Sequence, residues 1–158
     1  MIFESIRKHI EYLKNEIKIL EEEMEKIIEA NAREETEVLQ SENGVGFQTS
    51  AILLGLLPEL GILDNRQISQ LVGLAPMARD SGKMSGKRSI RGGRERVRRA
   101  LFMASISAIK NNPKVKEFYK RLRNDGKNVF VALTAVAHKL LIILNLKMRL
   151  FREGKDYF

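Results

Sequence analysis

The sequence predicts an all-α protein: a long N-terminal coiled-coil helix followed by a compact helical domain containing a helix-hairpin-helix-like element. Three observations lead there. Apolar residues recur at Ile6, Ile10, Leu13, Ile17, Leu20, Met24 and Ile27, in alternating steps of four and three. Helix start and stop signals then punctuate the rest of the chain at short intervals. Strand-like alternation of apolar and polar residues is not sustained anywhere, and no internal repeat is found.

The spacing of the first segment averages about 3.5 residues, the period that keeps a narrow seam turned toward a partner helix. Ile10, Ile17, Met24 and Asn31 take a positions; Ile6, Leu13, Leu20 and Ile27 take d positions. Parallel pairing would set Glu16 against Glu21 and His9 against Lys14, whereas antiparallel pairing brings Lys14 beside Glu21 and His9 beside Glu23. Each exposed pair is worth only about 0.3–0.5 kcal/mol, so charge leans toward antiparallel without fixing it. Later helices of the same chain could also cover the seam. The seam fades after Ile27 and the chain turns at Ser41–Gly46, so residues 1–42 read as a coiled-coil, oligomerising helix and residues 43–158 as the helical domain.

Within that domain, Asn43-Gly44-Val45-Gly46 marks a tight turn. A short helix is expected from Gln48 to Leu57, ended by Pro58 and Gly61. Asp64, with Gln67 three residues on, forms a capping box for a helix that runs to Val72 and stops at Gly73. Residues 73–93 make a long basic loop, a length that in a compact domain is usually functional or disordered. A helix follows from Arg94 to Asn111. Asn112-Pro113 supplies a cap and a first-turn proline for the next, which ends near Asp125-Gly126. The last, Asn128 to Arg152, is apolar on most sides. His138, Lys139 and Asn145 argue that it is a buried core helix and no membrane span.

Composition narrows the function. The chain of 158 residues is 44% apolar, with no tryptophan and no cysteine, which removes disulfides and thiolate metal sites and fits a cytoplasmic protein. The opening residues lack the layout of a secretory signal. Residues 1–42 carry six Lys/Arg against twelve Asp/Glu, while residues 43–158 carry 22 against eight. Arg79 to Arg99 alone holds nine basic residues against Asp80 and Glu95, a density that favours a polyanionic partner over simple solvation.

Three features could carry chemistry. The Gly44-x-Gly46 turn, with Thr49 in the following helix, can present backbone N–H groups to a phosphate, or be a plain interhelical turn. The loop brings Ser81 together with Arg79, Lys83, Lys87, Arg88 and Arg91, a hydroxyl among cations that could neutralise charge developing on a phosphate, although loops are rich in Ser and Gly in any case. Arg94, Arg96, Arg98 and Arg99 open the next helix at too many azimuths to face one groove, so some contact phosphate and some pack the loop. Lys114, Lys116, Lys120, Arg121 and Arg123 form a second basic face, a pattern that solvation alone would also explain. His9 and His138 have no partners at metal-ligand spacing, and no metal site is expected in this chain.

Taken in order, Gly44-Val45-Gly46-Phe47-Gln48-Thr49-Ser50-Ala51, Gly73-Leu74-Ala75-Pro76, Asp80-Ser81-Gly82-Lys83, Lys87-Arg88-Ser89-Ile90-Arg91-Gly92-Gly93, Val97-Arg98-Arg99-Ala100-Leu101 and the closing Ala132–Leu141 stretch resemble the C-terminal region of the insertion-sequence "one-ten" family of DEDD/serine transposases, related to Piv-type DNA invertases. The resemblance covers about residues 43–150. It implies that Ser81 is a catalytic nucleophile for DNA strand cleavage and exchange. Gly44, Gly46, Thr49, Arg79, Lys83, Lys87, Arg88, Arg91, Arg94 and Arg98 are the expected DNA-binding residues. The family's divalent metal, Mg, would be held by four acidic residues of a nuclease-like N-terminal domain. The chain is expected to lack that domain and to be inactive alone. Some relatives use a transposon-encoded RNA, so the implied partners are DNA, a guide-type RNA and a second copy of the chain through the coiled coil. Asn43 stands where the family usually has proline. The competing expectation is a coiled-coil module that binds nucleic acid without chemistry.

Overall fold

The computed structural model describes residues 2–76, 90 and 92–157. Seven α-helices and no strand occur among them: α1 (Ile2–Asn31), α2 (Arg33–Gln40), α3 (Phe47–Leu56), α4 (Asn65–Val72), α5 (Glu95–Asn111), α6 (Pro113–Asn124) and α7 (Val129–Arg152). The all-α expectation therefore holds, including the long first helix. The chain divides into two compact units, one ending at Arg33 and one beginning at Glu34.

The first unit is α1, 30 residues with none buried. Its seam is open: Leu13 is 45% and Ile27 63% exposed. The helix ends where the Asn31 side-chain amide donates to the Ile27 carbonyl, 2.8 Å away, in competition with the helix's own i→i−4 bond.

The second unit starts earlier than the glycine turn that marks it in the sequence. Although α2 is strongly acidic, it buries Thr36, Val38 and Leu39, and the latter two join the main core. Burying one such side chain is worth about 1.5–3 kcal/mol, enough to tie a charged two-turn helix to the bundle. The main core also takes Leu53 and Leu57 after α3 begins, Ile68 and Val72 from α4, Val97 and Leu101 from α5, and Leu141, Leu144 and Met148 from α7. A smaller cluster joins Ala104 and Ala108 of α5, Val115 of α6, and Val136 and Leu140 of α7. Helix α5 packs on α3, α4, α6 and α7, and α7 packs on α4, α5 and α6. By length and composition α7 could cross a membrane, yet it buries eight residues among these neighbours, Asn145 included.

Helix ends follow local chemistry. Asp64 Oδ1 accepts from the N–H groups of Arg66 and Gln67, both at 2.8 Å, and Gln67 Oε1 accepts from the Asp64 N–H, closing the capping box. Asn112 caps α6 ahead of Pro113, and Asn128 caps α7. Fully buried Asn145 fastens the α3–α4 connection. Its Oδ1 accepts from the Gly61 N–H at 2.8 Å, and its Nδ2 donates to the Leu63 carbonyl at 3.0 Å.

Candidate nucleic-acid interface

The interface is built around the place where the long loop leaves α4 and returns to α5. Gly73 ends α4 in a left-handed conformation with φ 79°, and Gly93 lies before α5 with φ 74°. A Cβ on Gly93 would stand 2.5 Å from the Val72 carbonyl carbon and 2.7 Å from Gly73 Cα, so only glycine permits this crossing of backbones. The Arg94 N–H donates to the Leu71 carbonyl at 3.0 Å, completing the neck.

Two arginines hold the neck. The Arg94 guanidinium donates through both Nη atoms to the Glu59 carboxylate, and Nη1 also reaches the Leu56 carbonyl at 2.9 Å. This paired geometry holds the Glu59 carboxyl below its ordinary range and pushes the Arg94 pKa up. Arg98 Nη1 donates to the Val72 carbonyl at 3.2 Å and to the Gly92 carbonyl, tying α5 to both stems. Both guanidiniums thus have partners within the fold, on the segment after α3 and on the two stems.

Ser81, Arg79, Lys83, Lys87, Arg88 and Arg91 lie outside the described residues. What the structure brings together is the frame from which they extend. The stems run beside a groove of about 510 Å³ lined by Leu74, Pro76, Ile90, Phe130, Thr134 and His138. His138 comes from the apolar helix α7. It is only partly buried, and its Nε2 lies 2.9 Å from Ser69 Oγ, whose own hydroxyl donates to the Asn65 carbonyl. With that proton committed, Nε2 is the donor, which makes the ring the Nε2–H tautomer. Burial pushes its pKa below the ordinary 6.5 and favours the neutral imidazole. No periodicity links Ser69 and His138, so only the fold reveals the pair.

The glycine hairpin has a different logic at each position. Gly44 has φ 103°, and a Cβ there would lie 2.5 Å from the Ala108 nitrogen, so this glycine lets the turn pack against α5. Gly46, the N-cap of α3, is exposed, and a Cβ would meet nothing within 4 Å. Thr49 is half-buried in the first turn of α3. Of the three, Gly46 is the position left open for an anion at a helix start. Among the described residues no group of three or more His, Asp or Glu is placed to hold a metal ion.

Residues 36–120 match the family described as transposase IS116/IS110/IS902. The chain is similar to a 43.6 kDa protein of insertion element IS110 from Streptomyces coelicolor, 29% identical over 140 residues that cover 87% of this chain and 33% of that protein. It is also similar to a 42 kDa protein of insertion element IS900 from Mycobacterium paratuberculosis, 36% identical over 80 residues, 49% of this chain and 20% of that protein. The chain spans about a third and a fifth of the lengths of these two relatives.

Proposed function

The chain belongs to the IS116/IS110/IS902 family of transposases, and from that premise we propose that it is the part of a transposase or DNA recombinase that grips DNA with its basic loop and supplies Ser81 as the nucleophile. The observation that carries the reading is the neck. Gly73 and Gly93 cross in contact, so a cationic stretch with Ser81 inside it is tethered at both ends to the rigid α4–α5 pair. Anchoring of this kind suits a segment that must meet a phosphate backbone. Arg79, Lys83, Lys87, Arg88 and Arg91 would contact phosphates, with Gly46 and Thr49 at the start of α3 offering a further anion position, while Arg94 and Arg98 shape the base.

In the proposed step the Ser81 hydroxyl loses its proton as Oγ attacks a DNA phosphorus. A serine–phosphate ester forms, one ester P–O bond of the strand breaks, and the departing sugar oxygen leaves as a hydroxyl. Attack by another strand's hydroxyl reverses the sequence and rejoins DNA. Cations around the phosphate stabilise the charge that builds up there. A divalent ion, Mg, would be held by a nuclease-like domain beyond these residues and would assist at the phosphate. Homo-oligomerisation through the open seam of α1, a guide-type RNA as second ligand and a cytoplasmic location complete the proposal.

The second reading is a nucleic-acid-binding module without chemistry. One experiment separates the two. Labelled DNA is mixed with the chain and a separately produced metal-binding domain of a family member, then run under denaturing conditions. A covalent protein–DNA adduct that disappears in Ser81→Ala supports catalysis. Intact binding with no adduct leaves the binding module.

A further inference from the structure

A second charged surface is formed by α6 and α7. Helices α6 and α7 enclose a groove of about 670 Å³ lined by Lys114, Glu117, Phe118, Lys120, Arg121 and Lys139, with Asn124 and Asp125 at one end. It shares no lining residue with the groove beside the loop stems. We propose that this α6–α7 groove is a separate binding site for the phosphodiester backbone of a nucleic acid strand, so that one chain holds nucleic acid at two places. The proposal rests on the nucleic-acid-binding reading given above and adds a site to it.

The centre of the groove is Phe118. The Arg121 guanidinium carbon lies 5.3 Å from its ring centroid and the Lys139 ammonium 4.5 Å. Two cations drawn to one ring repel each other, and the ring's quadrupole offsets only part of that repulsion. A carboxylate between them would be the usual remedy. Among the described residues, none of Lys114, Lys120, Arg121 and Lys139 has an ion pair within 4.0 Å, although Arg94, Arg99, Lys147 and Lys155 all do. Glu117 and Asp125 also line the groove, so four cations face two carboxylates that are not paired with them.

The helices build this deliberately spaced set. Along α6, Lys114, Phe118 and Arg121 recur at i, i+4 and i+7 and form one stripe. Its 12 residues hold five Lys/Arg against one Glu. On α7 Lys139 directly precedes the buried pair Leu140 and Leu141, and turns its charge into the groove instead. Guanidinium and ammonium groups lining one groove fit the non-bridging oxygens of phosphates, and a trough lined along its length fits successive phosphates better than a single small anion. DNA and RNA present the same chemistry, and the test distinguishes them.

The test uses the full chain and two charge-neutralised forms. The groove form is Lys120→Gln/Arg121→Gln/Lys139→Gln; the loop form is Arg79→Gln/Lys83→Gln/Lys87→Gln/Arg88→Gln. Affinity for a labelled DNA duplex and for a labelled RNA hairpin is measured across a salt series. The groove form should weaken binding at least tenfold and lower the log–log salt slope by about 2–3 on at least one nucleic acid. A loss on RNA alone assigns the groove to RNA, and a loss on the duplex alone assigns it to DNA. Wild-type affinity and slope of the groove form on both ligands, with the loop form weakened, would overturn this site and leave the proposed function standing. If the wild-type chain binds neither ligand, the proposed function falls and the site with it. Should the triple variant unfold, Arg121→Gln and Lys139→Gln made singly are each expected to lower the slope by about one, and unchanged slopes in both would count against the site.

Discussion

Glu59 receives Arg94 end-on, each carboxylate oxygen accepting from a different nitrogen of the guanidinium, and the same arginine reaches the Leu56 carbonyl. The pair locks the segment after α3 to the start of α5. Because the carboxyl is held below its ordinary 4.5 by the Arg94 hydrogen bonds, the folded chain binds this proton less readily than the unfolded chain does. The contribution is therefore fully present above about pH 4.5 and is lost as pH falls through the lowered folded value. Glu59→Gln should show a shallower decline of Tm on acidification below that point than the wild type. Parallel curves in thermal unfolding would mean that the pair does not couple to folding.

Gly93 offers a sharper test of the neck. Alanine there must adopt a positive φ and also place its Cβ against the Val72–Gly73 backbone. Strain and overlap together should cost about 2–4 kcal/mol, read as a drop in the urea midpoint. Gly46→Ala, with nothing within 4 Å and a negative φ of −98°, should cost far less.

His138 gives a second pH signature. Burial lowers its pKa below 6.5, so the neutral ring is the folded form and its contribution is present above about pH 6.5. As pH falls through the lowered value, protonation opposes the folded environment and stability declines. Replacing His138 by Gln should flatten the stability profile in the weakly acidic range. A profile identical to wild type by calorimetry would place the titration elsewhere.

Asn145→Ala should be among the most damaging single changes. It leaves the Gly61 N–H without its acceptor and removes a donor from the Leu63 carbonyl. Unpaired buried groups of this kind cost about 1–3 kcal/mol, in addition to the cavity left behind. Denaturant unfolding should report at least that much, with the slope m unchanged.

The α1 seam predicts association. If a second copy covers Leu13 and Leu20, the double change Leu13→Glu/Leu20→Glu should reduce the sedimentation mass to that of a monomer of 18.1 kDa while leaving the helix signal of the second unit intact. An identical mass for both forms would mean that the seam is not the interface.

Much of this architecture was legible because its signals are local. Asp64 with Gln67, Asn112 with Pro113, Asn128 and Gly73 act through neighbours within four residues, and each falls at the helix end it marked. The helix expected from Gln48 to Leu57 runs from Phe47 to Leu56. What escaped depends on distant partners. The acidic α2 looked like the tail of a coiled coil, and only the fold shows Val38 and Leu39 inside the core. The packing role of Gly44 depends on Ala108, 64 positions later in the sequence. The sequence leaves open which arginines at the start of α5 are structural, since Glu59, Val72 and Gly92 meet Arg94 and Arg98 only after folding. Charge density alone could not show that Arg94 and Arg98 have partners within the fold.

The crossing of Gly73 and Gly93 holds the two ends of the intervening sequence side by side. Both stems are fastened to α4 and α5, by the Arg94 N–H on the Leu71 carbonyl and by Arg98 on the Val72 carbonyl. Doubling the length of a closed flexible loop adds only about 0.6 kcal/mol of closure entropy. Insertions between Pro76 and Ile90 should therefore leave the bundle nearly as stable as before, and lineages sharing this neck could vary the length of that stretch without redesigning the scaffold.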